Sequence, residues 1–107
     1  MRKHRITYQP LAQKDLIDIF DYLKIDSPIA AAKLLDQMDK AIARLNLFPS
    51  RGIRPRDSWL KSKGYRILIV GDYLVFYVAS TTRVQIRRVI HGKRDYSFLF
   101  HNRHGHR

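Results

Sequence analysis

The order of two hydrophobic periodicities along the chain is the feature that most constrains its fold. Apolar residues first recur at helical spacing, which places them on one face of an α-helix. In the first segment they are Ala12, Leu16, Ile19, Phe20 and Leu23. In the second they are Ala31, Leu34, Leu35, Met38, Ile42 and Leu45. Between the segments, Ser27-Pro28 combines an N-cap residue with proline at the first helical position. We therefore expect two helices that fold back as an antiparallel hairpin.

Beyond the helices the pattern changes to short runs that favour β-strands. These runs are residues 65–70, 73–80 and 84–90. Gly71-Asp72 between the first two is a two-residue hairpin signal, and a further β-favouring stretch, residues 6–8, precedes Pro10. Residues 50–64 predict a basic connecting loop. The order β-α-α-β-β-β predicts an α+β fold, in which a three-stranded antiparallel meander carries the N-terminal strand at one edge. The helix hairpin should cover one sheet face and leave the other open.

The length of 107 residues is that of a single domain. We expect this domain to span residues 1–100 and residues 101–107, which have no apolar anchor, to form a mobile basic tail. The chain has no cysteine, which excludes disulfides, thiolate metal sites and cysteine nucleophiles. The basic N-terminus leads into no apolar segment of signal-peptide or membrane-spanning length. A cytoplasmic protein without cofactor or metal is therefore expected.

Charge is distributed unevenly along the chain. Lys and Arg number 21 against nine Asp, and Glu is absent. Residues 1–50 carry a net charge of +2, whereas residues 51–107 carry +10. Such a field attracts nucleic acid through counterion release, and it equally attracts an acidic protein. Both classes of partner stay open on charge alone.

The last strand and the residues after it hold the candidate binding groups. Strict alternation would put Val84, Ile86, Arg88 and Ile90 on one face, and Gln85, Arg87, Val89 and His91 on the other. A basic strip can then form on the open face from Arg66, Arg87 or Arg88, His91, Lys93 and Arg94, interleaved with Tyr65, Tyr73, Tyr77 and Tyr96. Arginines that contact phosphate and rings that stack on bases suit RNA. Alternatively, the tyrosines only favour strands and the arginines form a solvated face. The arginines near apolar strand positions require a partner of some kind.

Three further groups have both a functional and a structural interpretation. His91, before Gly92, is a candidate general acid or base, although a histidine at a strand end is more often structural. Asp15, Asp18 and Asp21 share a helical face, and a solvated face is favoured over a metal site. His101, His104 and His106 have chelating spacings, but a mobile tail is a poor metal site. The sequence has no P-loop, Gly-x-Gly-x-x-Gly, Gly-x-Ser-x-Gly or His-Glu-x-x-His motif.

From Ile6 to Phe100 the chain resembles the ParE/RelE toxin superfamily of type II toxin–antitoxin systems. The most specific part is Arg88-Val89-Ile90-His91-Gly92-Lys93-Arg94-Asp95-Tyr96, closing with Leu99-Phe100. Tyr65-Arg66 with residues 73–77 resembles the preceding hairpin, and Phe48-Pro49 with Gly52 resembles the loop after the helices. The resemblance implies a toxin that is neutralised by an antitoxin with an acidic segment. A basic binding module without either toxic activity is a third possibility.

The superfamily contains two poisons on one fold. RelE-type members cleave mRNA on the ribosome without a metal, and this would give Arg66, Arg88, His91 and Tyr96 the roles of phosphate clamp, general acid and stacking ring. ParE-type members inhibit DNA gyrase and lack that set. The resemblance to ParE in the His-Gly-Lys-Arg-Asp-Tyr stretch, the long helix hairpin and the absence of Glu favour gyrase. The predicted partner-binding residues are Arg66, Arg87, Arg88, His91, Lys93, Arg94 and Tyr96.

Overall fold

The computed structural model describes residues 3–96. Its elements are β1 (Arg5–Tyr8), α1 (Pro10–Asp26), α2 (Pro28–Ala43), a 3-10 turn (Arg44–Asn46), α3 (Ser58–Ser62), β2 (Tyr65–Val70), β3 (Tyr73–Ala79) and β4 (Arg83–His91). The α+β class and the element order predicted from the sequence are confirmed, apart from α3. The predicted C-terminal tail and its histidines lie outside the described residues. None of the helices in the described part is long and apolar enough to cross a membrane.

The two long helices begin and end where the sequence signals lie. Pro10 occupies the first turn of α1 and Pro28 that of α2, positions where a missing N–H costs nothing. The Ser27 hydroxyl accepts a hydrogen bond from the Ala30 N–H at 3.1 Å, and its own N–H donates to the carbonyl of Leu23. One residue therefore ends α1 and caps α2, which confirms the predicted antiparallel hairpin.

The four strands form one sheet in the order β1-β4-β3-β2. β2, β3 and β4 make the predicted antiparallel meander, and β1 adds to its edge, parallel to β4. The turn between β2 and β3 is Gly71-Asp72, with Val70 and Tyr73 paired on either side. Gly71 has a φ of +57° and Asp72 does not, which is the pattern of a type II′ turn.

A β-bulge interrupts the pairing of β3 with β4. Phe76 is opposite Arg88 while Tyr77 is opposite Ile86, so that Arg87 has no partner across the strands. The predicted strict alternation in β4 is therefore wrong beyond this point. Val89 joins Val84 and Ile86 in the core beneath the helices, and Ile90 lies in the core on the opposite face.

Both faces of the sheet are covered by apolar residues. The helix hairpin covers the first face, over Val75, Tyr77, Val84, Ile86 and Val89. The second face carries a smaller core of Leu60, Tyr65, Ile67, Phe76 and Ile90, against which Trp59 and Tyr96 pack. The prediction of an open second face is wrong, because residues 50–64 are not only a loop. They include the single turn α3, which buries Leu60 against the sheet.

Sequence signals for α3 are short but specific. The Asp57 side chain accepts a hydrogen bond from the Leu60 N–H at 2.9 Å, which caps the first turn. Gly64, with a φ of +79°, reverses the chain between α3 and β2. The backbone of Ile53 forms an isolated pair of hydrogen bonds with Ile67, 2.9 Å each, so the segment before α3 runs along part of the β2 edge.

Tyr77 joins the sheet to the turn that follows the helices. Its hydroxyl donates to the carbonyl of Pro49 at 2.7 Å and accepts from the Gly52 N–H at 2.8 Å. Burial raises the pKa of Tyr77, so the phenol stays neutral and can serve in both roles. A Cβ at Gly52 would lie 2.7 Å from the Tyr77 oxygen and 3.0 Å from the Ile67 carbonyl oxygen. Only glycine fits this approach.

Tyr77→Phe should lower the free energy of unfolding by about 2 kcal/mol, since it leaves the buried Gly52 N–H and Pro49 carbonyl without this partner. Tyr22→Phe is the matched control, because Tyr22 is 72% exposed, and should change the value by less than about 0.5 kcal/mol. Urea unfolding followed by circular dichroism measures both. Equal stabilities for the two variants would contradict this role of Tyr77.

Candidate functional site

Arg88 is held by an ion pair with helix α1. Its Nε lies 2.8 Å from Asp15 Oδ2 and its terminal nitrogen lies 2.9 Å from Asp15 Oδ1, so the contact is bidentate. Asp15 Oδ2 also accepts the backbone N–H of Val89 at 2.9 Å. The two side chains are only 17% and 13% exposed. The partner that the sequence required for this arginine is therefore a carboxylate of the same chain.

The pair has consequences for both residues. The hydrogen bonds that Arg88 donates to the Asp15 carboxylate raise the pKa of Arg88, against the opposing effect of its desolvation. The sequence predicts a solvated acidic face for Asp15, Asp18 and Asp21. For Asp15 this prediction is wrong, because its side chain is nearly buried. The other two side chains make exposed ion pairs, with Lys14 and Lys24 respectively, and such pairs contribute little stability. No cluster of three or more metal-ligating side chains occurs among the residues that the structure describes.

Arg87 reaches the other side of the sheet. Its Nε donates to the Gln85 side-chain oxygen at 2.8 Å, and its terminal nitrogen donates to the Tyr65 hydroxyl at 3.1 Å. The guanidinium also lies over the Tyr65 ring, 5.5 Å from its centroid. The adjacent arginines of the bulge therefore serve different faces, Arg88 towards α1 and Arg87 towards the second core.

His91 lies on the helix side, next to Tyr73, with ring centroids 5.2 Å apart and an edge-on angle of 78°. Its Nδ1 accepts the backbone N–H of Lys93 at 3.1 Å, so the neutral imidazole carries its proton on Nε2. The ring borders a groove of about 260 Å³, whose other lining residues include Asp18, Tyr22 and Arg94. Burial, more than the nearby Asp72, raises the pKa of Tyr73.

Tyr96 lies on the second face of the sheet. Its ring meets that of Phe76 edge-on, with centroids 4.9 Å apart at 64°, and it packs against the second core. His91 and Tyr96 are therefore separated by the sheet. The structure does not bring the three proposed groups together, because Tyr96 lies across the sheet from His91. Arg88 shares the helix side with His91, but its guanidinium is paired with Asp15, which lines the same groove as His91.

Arg66 and the cations after β4 occupy two further places. A terminal nitrogen of Arg66 donates to the Gly52 carbonyl at 2.9 Å, which ties this arginine to the turn that Tyr77 also holds. Lys93 and Arg94 are exposed in the turn that closes β4. The predicted strip of cations with tyrosines does not form as one surface, since Tyr77 is fully buried and the arginines diverge. The role of the seven residues in partner binding stays a prediction.

Sequence reasoning missed Asp15 as the partner of Arg88 and Tyr65 as the partner of Arg87. The signal for the first was indirect: a nearly buried arginine requires a carboxylate, and α1 offers Asp15, Asp18 and Asp21 at one-turn spacing. The choice among them depends on how α1 sits on β4, which periodicity does not specify.

Three solved complexes contain chains of similar fold. The chromosomal ParDE toxin–antitoxin system from P. aeruginosa matches with a TM-score of 0.68 and 18% identity, over 83% of this chain and 96% of that chain. The RelBE2 complex from Mycobacterium tuberculosis matches with a TM-score of 0.60 and 23% identity, over 85% and 93%. The E. coli DinJ–YafQ complex gives 0.55 and 18%, over 92% and 98%. At these identities the likeness concerns the fold.

Family membership comes from the sequence. No curated protein matches the chain. The family model of the ParE toxin of type II toxin–antitoxin systems, parDE, matches residues 6–96, from β1 to the tyrosine that packs on the second core. The resemblance expected from the last strand and the hairpin before it is confirmed. The chain belongs to the ParE toxin family of type II toxin–antitoxin systems.

Proposed function

We propose that this toxin arrests growth by inhibiting DNA gyrase in the cytoplasm, and that it is not itself a nuclease. The observation that carries the proposal is the separation of the candidate RNase groups. Arg88 is paired with Asp15 at 2.8 Å, and His91 and Tyr96 pack on opposite sheet faces. Metal-independent cleavage requires the acid, the base and the phosphate clamp around one scissile bond.

Each of the candidate groups also has a structural partner. The His91 Nδ1 is occupied by the Lys93 N–H, and the Tyr96 ring contacts Phe76. Arg66 donates to the Gly52 carbonyl. Freeing Arg88 for a substrate phosphate would leave Asp15 nearly buried without its cation, which is costly. These contacts support a toxin that acts by binding.

We also propose an antitoxin with an acidic segment as the neutralising partner. The net charge of +12, of which +10 lies in residues 51–107, favours association with an anionic chain. The similar folds from P. aeruginosa, M. tuberculosis and E. coli come from toxin–antitoxin complexes. A segment that folds on binding can cover a large basic surface.

The direct test is a supercoiling assay with purified full-length toxin and gyrase, beside a ribosome-programmed mRNA cleavage assay on the same preparation. We expect loss of supercoiling, or accumulation of cleaved DNA, while the mRNA stays intact. Addition of the antitoxin should restore supercoiling. A known ribosome-dependent mRNA nuclease serves as the positive control for cleavage. Cut mRNA with unaffected gyrase would overturn the proposal.

Substitutions at the two separated side chains test the same proposal in cells. His91→Ala and Tyr96→Leu should each retain growth arrest within about threefold in toxin dose. Loss of an RNase general acid typically costs on the order of a hundredfold, and Leu removes the ring on which a base would stack while it keeps an apolar side chain against Phe76. The protein level of each variant is measured by immunoblot. A sharp loss of toxicity in both variants, at unchanged levels, would indicate a shared catalytic site.

A further inference from the structure

A basic pocket opens where α3 meets β2, away from the groove beside His91. It has a volume of about 300 Å³ and is lined by Arg54, Lys61, Ser62, Gly64, Tyr65 and Arg66. Three of the six residues are cationic and none is acidic. The side chains of Arg54 and Lys61 make no hydrogen bond or ion pair with the other described residues. The pocket therefore presents positive charge that the fold does not neutralise at its lining.

Each cation is carried by backbone that is fixed in place. Arg54 follows Ile53, whose backbone is hydrogen-bonded to β2. Lys61 lies on α3, and its carbonyl accepts the Gly64 N–H at 3.0 Å. The Arg66 guanidinium is oriented by its hydrogen bond to the Gly52 carbonyl. Binding an anion here requires only the side chains of Arg54 and Lys61 to become ordered, which lowers the entropic cost.

The surroundings of the pocket favour a backbone phosphate over an unstacked base. Tyr65 is only 7% exposed and its ring is covered by Arg87. Trp59 is half-buried, with the Lys63 ammonium 5.8 Å from its ring centroid. Among the described residues beside the pocket, neither Tyr65 nor Trp59 therefore presents a fully exposed ring of the kind that stacks on the bases of a single strand. Arg51 and Arg56 are exposed in the same segment and extend the positive charge.

We propose that this pocket binds a backbone phosphate of duplex DNA. The assignment of DNA rests on the proposed action on gyrase, an enzyme that holds a DNA duplex. The toxin would then contact the DNA as well as the enzyme, with Arg54, Lys61 and Arg66 around one phosphate. Such a contact is independent of sequence and depends on salt.

The test compares two double variants of full-length toxin in the absence of gyrase. Arg54→Gln/Lys61→Gln removes the two free cations of the pocket, and Lys33→Gln/Arg44→Gln removes an exposed lysine and an exposed arginine elsewhere. Both lower the net charge by the same amount. Anisotropy of a short fluorescein-labelled DNA duplex, at several salt concentrations, gives the affinity. We expect the pocket variant to bind about tenfold more weakly, with the salt slope reduced by about one, and the control to change by less than about twofold.

Inorganic phosphate is the second probe. It should cause saturable NMR shifts at the Gly64 and Arg66 amides of the natural toxin and of the control variant, and none in the pocket variant. If DNA binding is weakened equally in the two variants, net charge alone explains the weakening and the proposal is wrong. Tighter binding of an RNA duplex, or of a poly-glutamate peptide, at the pocket would also overturn it.

The outcome is separable from the action on gyrase. If the toxin inhibits gyrase but its DNA binding does not depend on the pocket, the phosphate site is wrong and the proposed function stands. If DNA binding depends on the pocket but supercoiling is unaffected, the proposed inhibition of gyrase is wrong and the phosphate site stands.

Discussion

The contact between Asp15 and Arg88 determines how the helices sit on the sheet. β1 pairs with β4 only as far as Ile86, and beyond that residue the edge of β4 would present unpaired backbone. The Asp15 carboxylate takes the place of a strand there by accepting the Val89 N–H, while it also binds the guanidinium of Arg88. A carboxylate that neutralises a cation and a backbone N–H together fixes both the position and the rotation of α1.

The bulge at Arg87 and this ion pair together distribute the basic residues of β4. One arginine is used on the helix side and the other covers Tyr65 on the second face. A sheet covered on both sides has little room for a substrate in its centre, so the candidate surfaces lie at its borders. They include the groove beside His91 and the basic pocket between α3 and β2.

Local signals predicted most of the fold. Periodicity and the Ser27 cap gave the helix hairpin, and Gly71-Asp72 gave the β-turn, because these depend on neighbouring residues. The bulge was not predictable, because nothing in the local sequence of Arg87-Arg88 indicates an extra residue in β4. A single extra residue moves every later side chain of the strand to the opposite face of the sheet. The candidate site depends on these long-range facts. The sequence could therefore nominate basic and aromatic candidates, whose binding role stays a prediction, but it could not predict how these side chains are grouped in space.

A double-mutant cycle on Asp15 and Arg88 tests the account most directly. Asp15→Asn, Arg88→Gln and the double variant are compared by urea unfolding. If the pair holds α1 to the sheet, each single variant should lose about 3 kcal/mol and the double variant should lose little more, giving a coupling energy above about 1.5 kcal/mol. Losses that add within about 0.5 kcal/mol would show that the two residues act independently. Arg88 would then be free to bind a substrate, contrary to the structure described above.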